Sequence, residues 1–205
     1  RQSELRASGS GIYIWENGLK VLETLGAYDH AVEGAFRGTH FEQRDNRNQV
    51  IESAAIPPDR RLITTERRQL LAALRDAALG AGVRIQTNAE VIGATPRGEL
   101  QFASGETVRA DLAVGADGIW SKVRQALGLE QLHEQSLEGA LRTMIPAREG
   151  DIPAADASKY IENWNGTRRL LITPVNQNIT YLALTCPHTD DKARNTIIDK
   201  KLWSA

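Results

Sequence analysis

Apolar residues along this chain recur with two different periods, and the switches between them outline its elements. After Asn17-Gly18, Leu19, Leu22 and Leu25 recur every three residues up to Gly26, which predicts a short amphipathic helix. Residues Thr65 to Leu79 carry a longer stripe of Leu70, Leu71, Leu74, Ala77 and Ala78, closed by Gly80, and predict the clearest helix of the chain. Between these helices the period falls to two. FRGTHFEQ and QVIESAAI flank the polar turn Arg44-Asp45-Asn46-Arg47-Asn48, which predicts a hairpin that Pro57-Pro58 ends. Short strands are expected at VRIQ, AEVIGAT and ELQFA, separated by Pro96-Arg97-Gly98 and Ser104-Gly105, and a buried strand at Leu112-Ala113-Val114. The last third turns strand-rich again, with ALRTMI, KYIENW, RRLLITPV and ITYLALTC around turns at Asn165-Gly166 and Asn176-Gln177-Asn178. Residues Arg1 to Ile14 read as a polar, small-residue stretch.

This order predicts an α/β fold in which helix and parallel-type strand material is interrupted twice by antiparallel pairs. Two interleaved units account for it more simply than one sheet. Residues 1–35 and 62–135 would form one unit, and 36–61 and 136–205 a mostly antiparallel sheet covering its ligand face.

Composition narrows the class. Of 205 residues, 41% are hydrophobic and 25% charged, and the net charge is −1, which suits a soluble globular protein. Basic and acidic residues are interspersed, so neither nucleic acid nor an anionic membrane is an expected partner. No apolar run reaches membrane-spanning length, and the single cysteine, Cys186, excludes an internal disulfide; both point to the cytoplasm. The four histidines, His30, His40, His133 and His188, lack metal-ligand spacing, and no nucleophile–base arrangement has local motif support. The chain opens on Arg1, its sole methionine is Met144, and Lys201-Leu202-Trp203-Ser204-Ala205 reads as mid-helix, so an internal piece of a longer protein is expected.

The most informative run is DLAVGADGIWSKVR, residues 111–124. It reads as a strand, a small-residue turn at Gly115-Ala116-Asp117-Gly118, and a helix begun at Trp120-Ser121. Gly118 can take the positive φ that other residues resist, and Ser121 is placed to cap the helix, whose free N–H groups would attract an anion. The spacing of Asp117, Gly118, Ser121 and Arg124 resembles the Asp-Gly motif of the flavoprotein aromatic hydroxylases, single-component FAD monooxygenases of the p-hydroxybenzoate hydroxylase type.

Other stretches carry the same resemblance. Arg6 with Gly9-Ser10-Gly11-Ile12 is similar to a loop that passes near the flavin in that family. Arg67-Arg68-Gln69-Leu70, with Leu74, resembles a helix start whose arginine reaches FAD, a role that falls on Arg67, or on Arg68 if the register slips by one. Gly166 to Pro174 resembles a strand of the family's middle sheet, over the substrate pocket. Arg1 looks like the arginine that follows a ribose-binding acid. The glycine fingerprint before that acid, and a Gly-Asp motif beyond Ala205, are absent from this stretch.

The resemblance implies an incomplete Rossmann-like FAD-binding domain interleaved with a substrate-domain sheet. The implied activity is hydroxylation of a small, phenol-like aromatic substrate on FAD with NADH or NADPH and O2. The 205 residues alone would show negligible activity and at best weak FAD affinity. Alternatives are an FAD-dependent reductase or dehydrogenase of the same fold, or a non-catalytic fragment that binds no cofactor. Substrate contacts are expected from His40, Arg142, Tyr160, Trp164 and Tyr181 on the sheet, while catalytic side chains and oligomeric state stay open.

Overall fold

The computed structural model describes residues 3–6 and 9–203. The expectations placed on Arg1, Ser204 and Ala205 lie outside the described residues. Contacts divide the chain into two compact units, one of residues 3–6 and 84–135, the other of 9–83 and 136–203. The cut differs from the expected pairing. The helices before residue 83 fall in one unit with the late strands, and residues 84–135 pack on themselves.

In the larger unit, β1 (Gly11–Trp15) pairs antiparallel with β5 (Leu62–Glu66), which also pairs β2 (Phe36–Arg37). The five residues of β5, Leu62-Ile63-Thr64-Thr65-Glu66, are all buried. Sequence alternation gave neither β1 nor β5. A central strand covered on both faces does not alternate, and the Thr64-Thr65-Glu66 end of β5 is too polar for LITTE to read as an apolar run.

Three helices, α1 (Glu16–Thr24), α2 (Tyr28–Val32) and α3 (Arg67–Gly80), cover one side of this small sheet. Ile14, Leu19, Leu22, Ala27, Ala31, Ile63 and Ala73 form the core there. Gly26 closes α1 with φ +68°. Because side chains alternate along β1, Ile12 and Ile14 face the helices while Tyr13 packs with Val175, Tyr181 and Ala183 of a second sheet.

That second sheet has six strands in the order β4-β3-β10-β11-β12-β9. Their ranges are β3 His40–Asp45, β4 Val50–Ala55, β9 Glu138–Pro146, β10 Lys159–Asn165, β11 Arg168–Asn176 and β12 Ile179–Pro187. Every pairing is antiparallel except β3 with β10. The hairpin and the four late strands therefore join one mostly antiparallel sheet, as their alternation predicts.

The smaller unit holds a meander of β6 (Val91–Ala94), β7 (Glu99–Phe102) and β8 (Thr107–Arg109), with α4 (Lys122–Ala126) against β6. Two expected strands do not form here. Residues 83–86 are irregular, and so are 111–117, where Leu112 and Val114 are 78% and 80% exposed. A strand exists only through its ladder, and among the described residues nothing pairs with either segment. The described residues end in α5 (Lys200–Trp203), and among them no helix is long and apolar enough to cross a membrane.

Candidate functional site

The Asp-Gly turn is organised by its own aspartate. Asp117 accepts hydrogen bonds from the Ser121 hydroxyl at 2.5 Å and from the backbone N–H groups of Lys122 at 2.7 Å and Val123 at 3.2 Å. Ser121 caps α4 by accepting from the Arg124 N–H at 2.9 Å, and Gly118 supplies φ +87° for the turn. Arg124 folds back, its guanidinium donating to the Ile119 carbonyl at 2.6 Å and to Glu130 at 2.9 Å. These bonds, with the serine hydroxyl first, hold the Asp117 carboxyl below the usual aspartate range. The expected anion site at free helix N–H groups is corrected accordingly: a carboxylate of the chain already fills it, and the helix has only five residues. Arg6, in the same unit, is exposed and paired with Glu4 at 3.1 Å.

The larger unit places its candidates on the face of the six-stranded sheet that looks toward β1, called the front here. Register decides which residues share it, since directly paired residues project to the same side. One row crosses five strands: Gln43, Glu162, Leu171, Ala183 and Arg142. Leu171 and Ala183 make an apolar floor. Glu162 and Arg142 bound it at opposite ends, three strand spacings or about 14 Å apart. On one side of this row lie Tyr160, Thr173, Tyr181 and Met144; on the other lie Trp164, Arg169, Thr185 and Ala140.

Over the floor stand β1 and the start of α3. Gly11, Ile12, Tyr13 and Arg67 roof a cavity of about 350 Å³ whose base includes Glu162, Leu171, Ala183 and Arg142. A neighbouring cavity of about 360 Å³ shares Tyr13, Glu162 and Leu171 and continues past Trp15, Phe41 and Gln43. Both are within the size range of small-molecule sites. Trp15 and Phe41 stack with centroids 5.8 Å apart, and Tyr13 meets Tyr160 and Tyr181 edge-on at 5.4 and 6.3 Å. The Tyr13 hydroxyl is hydrogen-bonded to that of Thr173, and burial pushes the phenol's pKa up. Burial also raises Tyr181, against the pull of Arg142 and Arg67.

The two arginines at the helix start separate cleanly. Arg67 is half-buried and lines the cavity, while Arg68 is exposed and pairs with Glu66 at 2.5 Å. Neither Arg67 nor Arg142 has an ion-pair partner among the described residues. Gly11 has a packing reason as well: a Cβ there would lie 2.9 Å from Cγ of Tyr181.

Two expected substrate residues are corrected. His40 pairs with Lys159 in the row one residue away from Phe41 and Tyr160, so the two-residue period of the strand puts its ring on the back of the sheet. Tyr160 is fully buried, its hydroxyl donating to the Leu62 carbonyl at 2.9 Å and accepting from the Gly38 N–H at 3.1 Å, which makes it a tie between layers. Trp164 shares the front face but borders a separate cavity of about 210 Å³ with Arg169, Leu202 and Trp203; its indole N–H donates to Glu162 Oε2 at 2.9 Å. Arg142 and Tyr181 line the main cavity with Arg67 and Gly11.

Sequence reasoning missed Tyr13 and Glu162. Glu162 was open to detection, since alternation along KYIENW sets it between Tyr160 and Trp164 on one face. Tyr13 was not, because its strand gave no pattern.

Residues 3–201 match the FAD binding domain family. The chain is 38% identical to a probable 2-heptyl-3-hydroxy-4(1H)-quinolone synthase, AqdB2, of Rhodococcus erythropolis, over all of this chain and 54% of that protein. It is 26% identical to a 6-hydroxynicotinate 3-monooxygenase of Bordetella bronchiseptica over 80% of this chain and 45% of that one. Among solved structures, the tetrameric form of 2-methyl-3-hydroxypyridine-5-carboxylic acid oxygenase superposes with a TM-score of 0.91 at 36% identity, covering 98% of this chain and 54% of that one. The chain thus spans about half the length of the relatives it matches.

Proposed function

As the chain belongs to the FAD binding domain family, we propose that the protein it is part of is an FAD-dependent monooxygenase that hydroxylates an aromatic ring with NADH or NADPH and O2. The observation that carries the reading is the roofed floor on the front of the sheet: Leu171 and Ala183 lie between Arg67 in the roof and Arg142 at the end of their row, two cations without acidic partners among the described residues, inside an aromatic wall. The names of the relatives above are a probable hydroxyquinolone synthase, a hydroxynicotinate monooxygenase and a hydroxypyridine-carboxylic acid oxygenase, which supports a hydroxy- or oxo-substituted nitrogen heteroaromatic as substrate.

Arg67 fits a flavin anchor. A cation at a helix start is disfavoured by the helix dipole, by roughly 0.3–1 kcal/mol, unless an electron-rich group faces it. When bound, FAD supplies two-electron reduction by the nicotinamide and activation of O2. The chain's own residues do the rest. Arg142 holds an oxyanion or carbonyl of the ring, Leu171 and Ala183 support its face, and Tyr13 and Tyr181 close the sides and exclude water. Asp117, Gly118, Ser121 and Arg124 fix the shape of the turn they belong to. In this reading residues 1–35 and 62–135 contribute to the FAD-binding domain of the complete protein, and the single buried cysteine supports a cytoplasmic setting.

The test is oxygen incorporation by the complete, flavin-loaded protein. NAD(P)H consumption is expected to rise on adding 4(1H)-quinolone, with a product one oxygen heavier. Consumption without incorporation assigns a reductase or dehydrogenase instead. Arg67→Ala is expected to weaken FAD binding ten- to hundredfold, the equivalent of one charge-assisted hydrogen bond of roughly 1.5–3 kcal/mol, while Arg68→Ala leaves it near wild type.

A further inference from the structure

Arg67 and Arg142 account for one end of the cavity, and the other end is held by an acid. Glu162 sits on β10, half-buried, in the wall shared by both front-face cavities. Its Oε2 accepts from the Trp164 indole N–H at 2.9 Å, and Arg169 lies over the Trp164 ring at 5.0 Å, so the side chain is fixed from behind. Among the described residues its other oxygen, Oε1, has no partner. Arg142 does not neutralise the acid, because Leu171 and Ala183 intervene in the row between them, and among the described residues Glu162 forms no ion pair with Arg67.

We infer that Glu162 is the specificity-determining acceptor of this site, selecting rings that present an N–H or O–H donor opposite the oxygen taken by Arg142. Oε1 is not sealed from solvent in the free site, so the cost arises on binding: a ring that covers it either donates a charge-assisted hydrogen bond or leaves it desolvated without a partner. An analogue without that donor leaves the oxygen stranded, and rejection by such unpaired groups is stronger than a hydrophobic pocket achieves by shape. Trp164 acts as a positioning residue, through the carboxylate and without touching the ring. The inference rests on the proposed hydroxylase reading and names the chemical feature that the site demands of its substrate.

The test compares dissociation constants of 4(1H)-quinolone and N-methyl-4-quinolone for the complete flavin-loaded protein, followed by the perturbation of flavin absorbance. Wild type is expected to favour the N–H compound at least tenfold. Glu162→Leu keeps side-chain bulk, removes the acceptor, and should bring the ratio close to one. Glu162→Gln retains a carbonyl acceptor and should fall between. A purely structural role for Glu162 would weaken both compounds equally and keep the ratio, which overturns the assignment while leaving the hydroxylase reading standing. Wild type binding neither compound overturns both, and wild type binding both equally overturns the assignment alone.

Discussion

On the back of the six-stranded sheet, Glu42, Arg44, Asp156 and Lys159 satisfy one another, whereas toward the front, among the described residues, Arg67 and Arg142 have no acid and Glu162 has no cation. Behind, the Arg44 guanidinium donates to Asp156 at 2.9 and 2.5 Å and to Glu42 at 2.9 Å, and Lys159 reaches Glu42 at 2.7 Å and Asp156 at 3.2 Å. Asp156 ends a short 3-10 turn, Ala154–Asp156, so this network ties the loop before β10 to β3. Charges matched inside the chain define geometry. Charges kept apart over an apolar floor retain their hydrogen-bonding capacity for a ligand. Strand periodicity produces the contrast, because neighbouring residues of β3 and β10 are delivered to opposite faces.

The largest expected effect tests the back face. Arg44 is 6% exposed and binds two carboxylates, so Arg44→Ala leaves Glu42 and Asp156 buried with Lys159 alone to compensate. Breaking a buried pair from one side costs about 3–5 kcal/mol. Urea unfolding of wild type and variant in the complete protein measures it, and a loss below about 1 kcal/mol would mean that these charges are no better committed than those in front.

A smaller effect appears in acid. Glu42 is held below the usual carboxylate range chiefly by the Lys159 hydrogen bond, and Asp156 chiefly by that of Arg44. A depressed folded pKa means that the unfolded chain takes up protons first as pH falls. The contribution is therefore complete above the unfolded values of about 4.3 for Glu and 3.9 for Asp, and is lost as pH drops through the folded values. Glu42→Gln should flatten the fall of stability with pH below about 4.5. Slopes that superimpose would remove Glu42 from the network.

How much of this was legible in the sequence follows from the same geometry. The late strands β9 to β12 and the β3–β4 hairpin are legible because their alternating or apolar runs lie between polar turns. β5 escaped because it is covered on both sides, and β1 because its short, glycine-led segment looks like a loop. The Asp-Gly run pointed to the right family. Its Leu112-Val114 strand did not form, since pairing partners are not encoded in a strand's own residues. Within the site, motif register favours Arg67 over Arg68, and the structure separates them by exposure. His40 falls on the other face by a one-residue parity, which is set by its place in the strand relative to Phe41.

The smallest expected effect is the sharpest test of the contrast, because it applies the substitution used on Arg44 to the other side of the sheet. Arg142 is exposed, lies on the edge strand β9, and makes no ion pair among the described residues. Removing its side chain strands no buried partner and opens no core volume, so Arg142→Ala should leave unfolding free energy within about 0.5 kcal/mol of wild type. Its cost should appear in binding instead. Loss of one charge-assisted hydrogen bond, roughly 1.5–3 kcal/mol, raises the dissociation constant of 4(1H)-quinolone ten- to hundredfold. Urea unfolding and flavin-absorbance titration on the same preparation give both numbers. If Arg142→Ala destabilises the fold as Arg44→Ala does, the front-face cation has a structural partner and the division between matched and reserved charge fails. If it changes neither stability nor affinity, the ring's oxygen is held elsewhere, and Arg67 becomes the remaining cation of the cavity able to hold it.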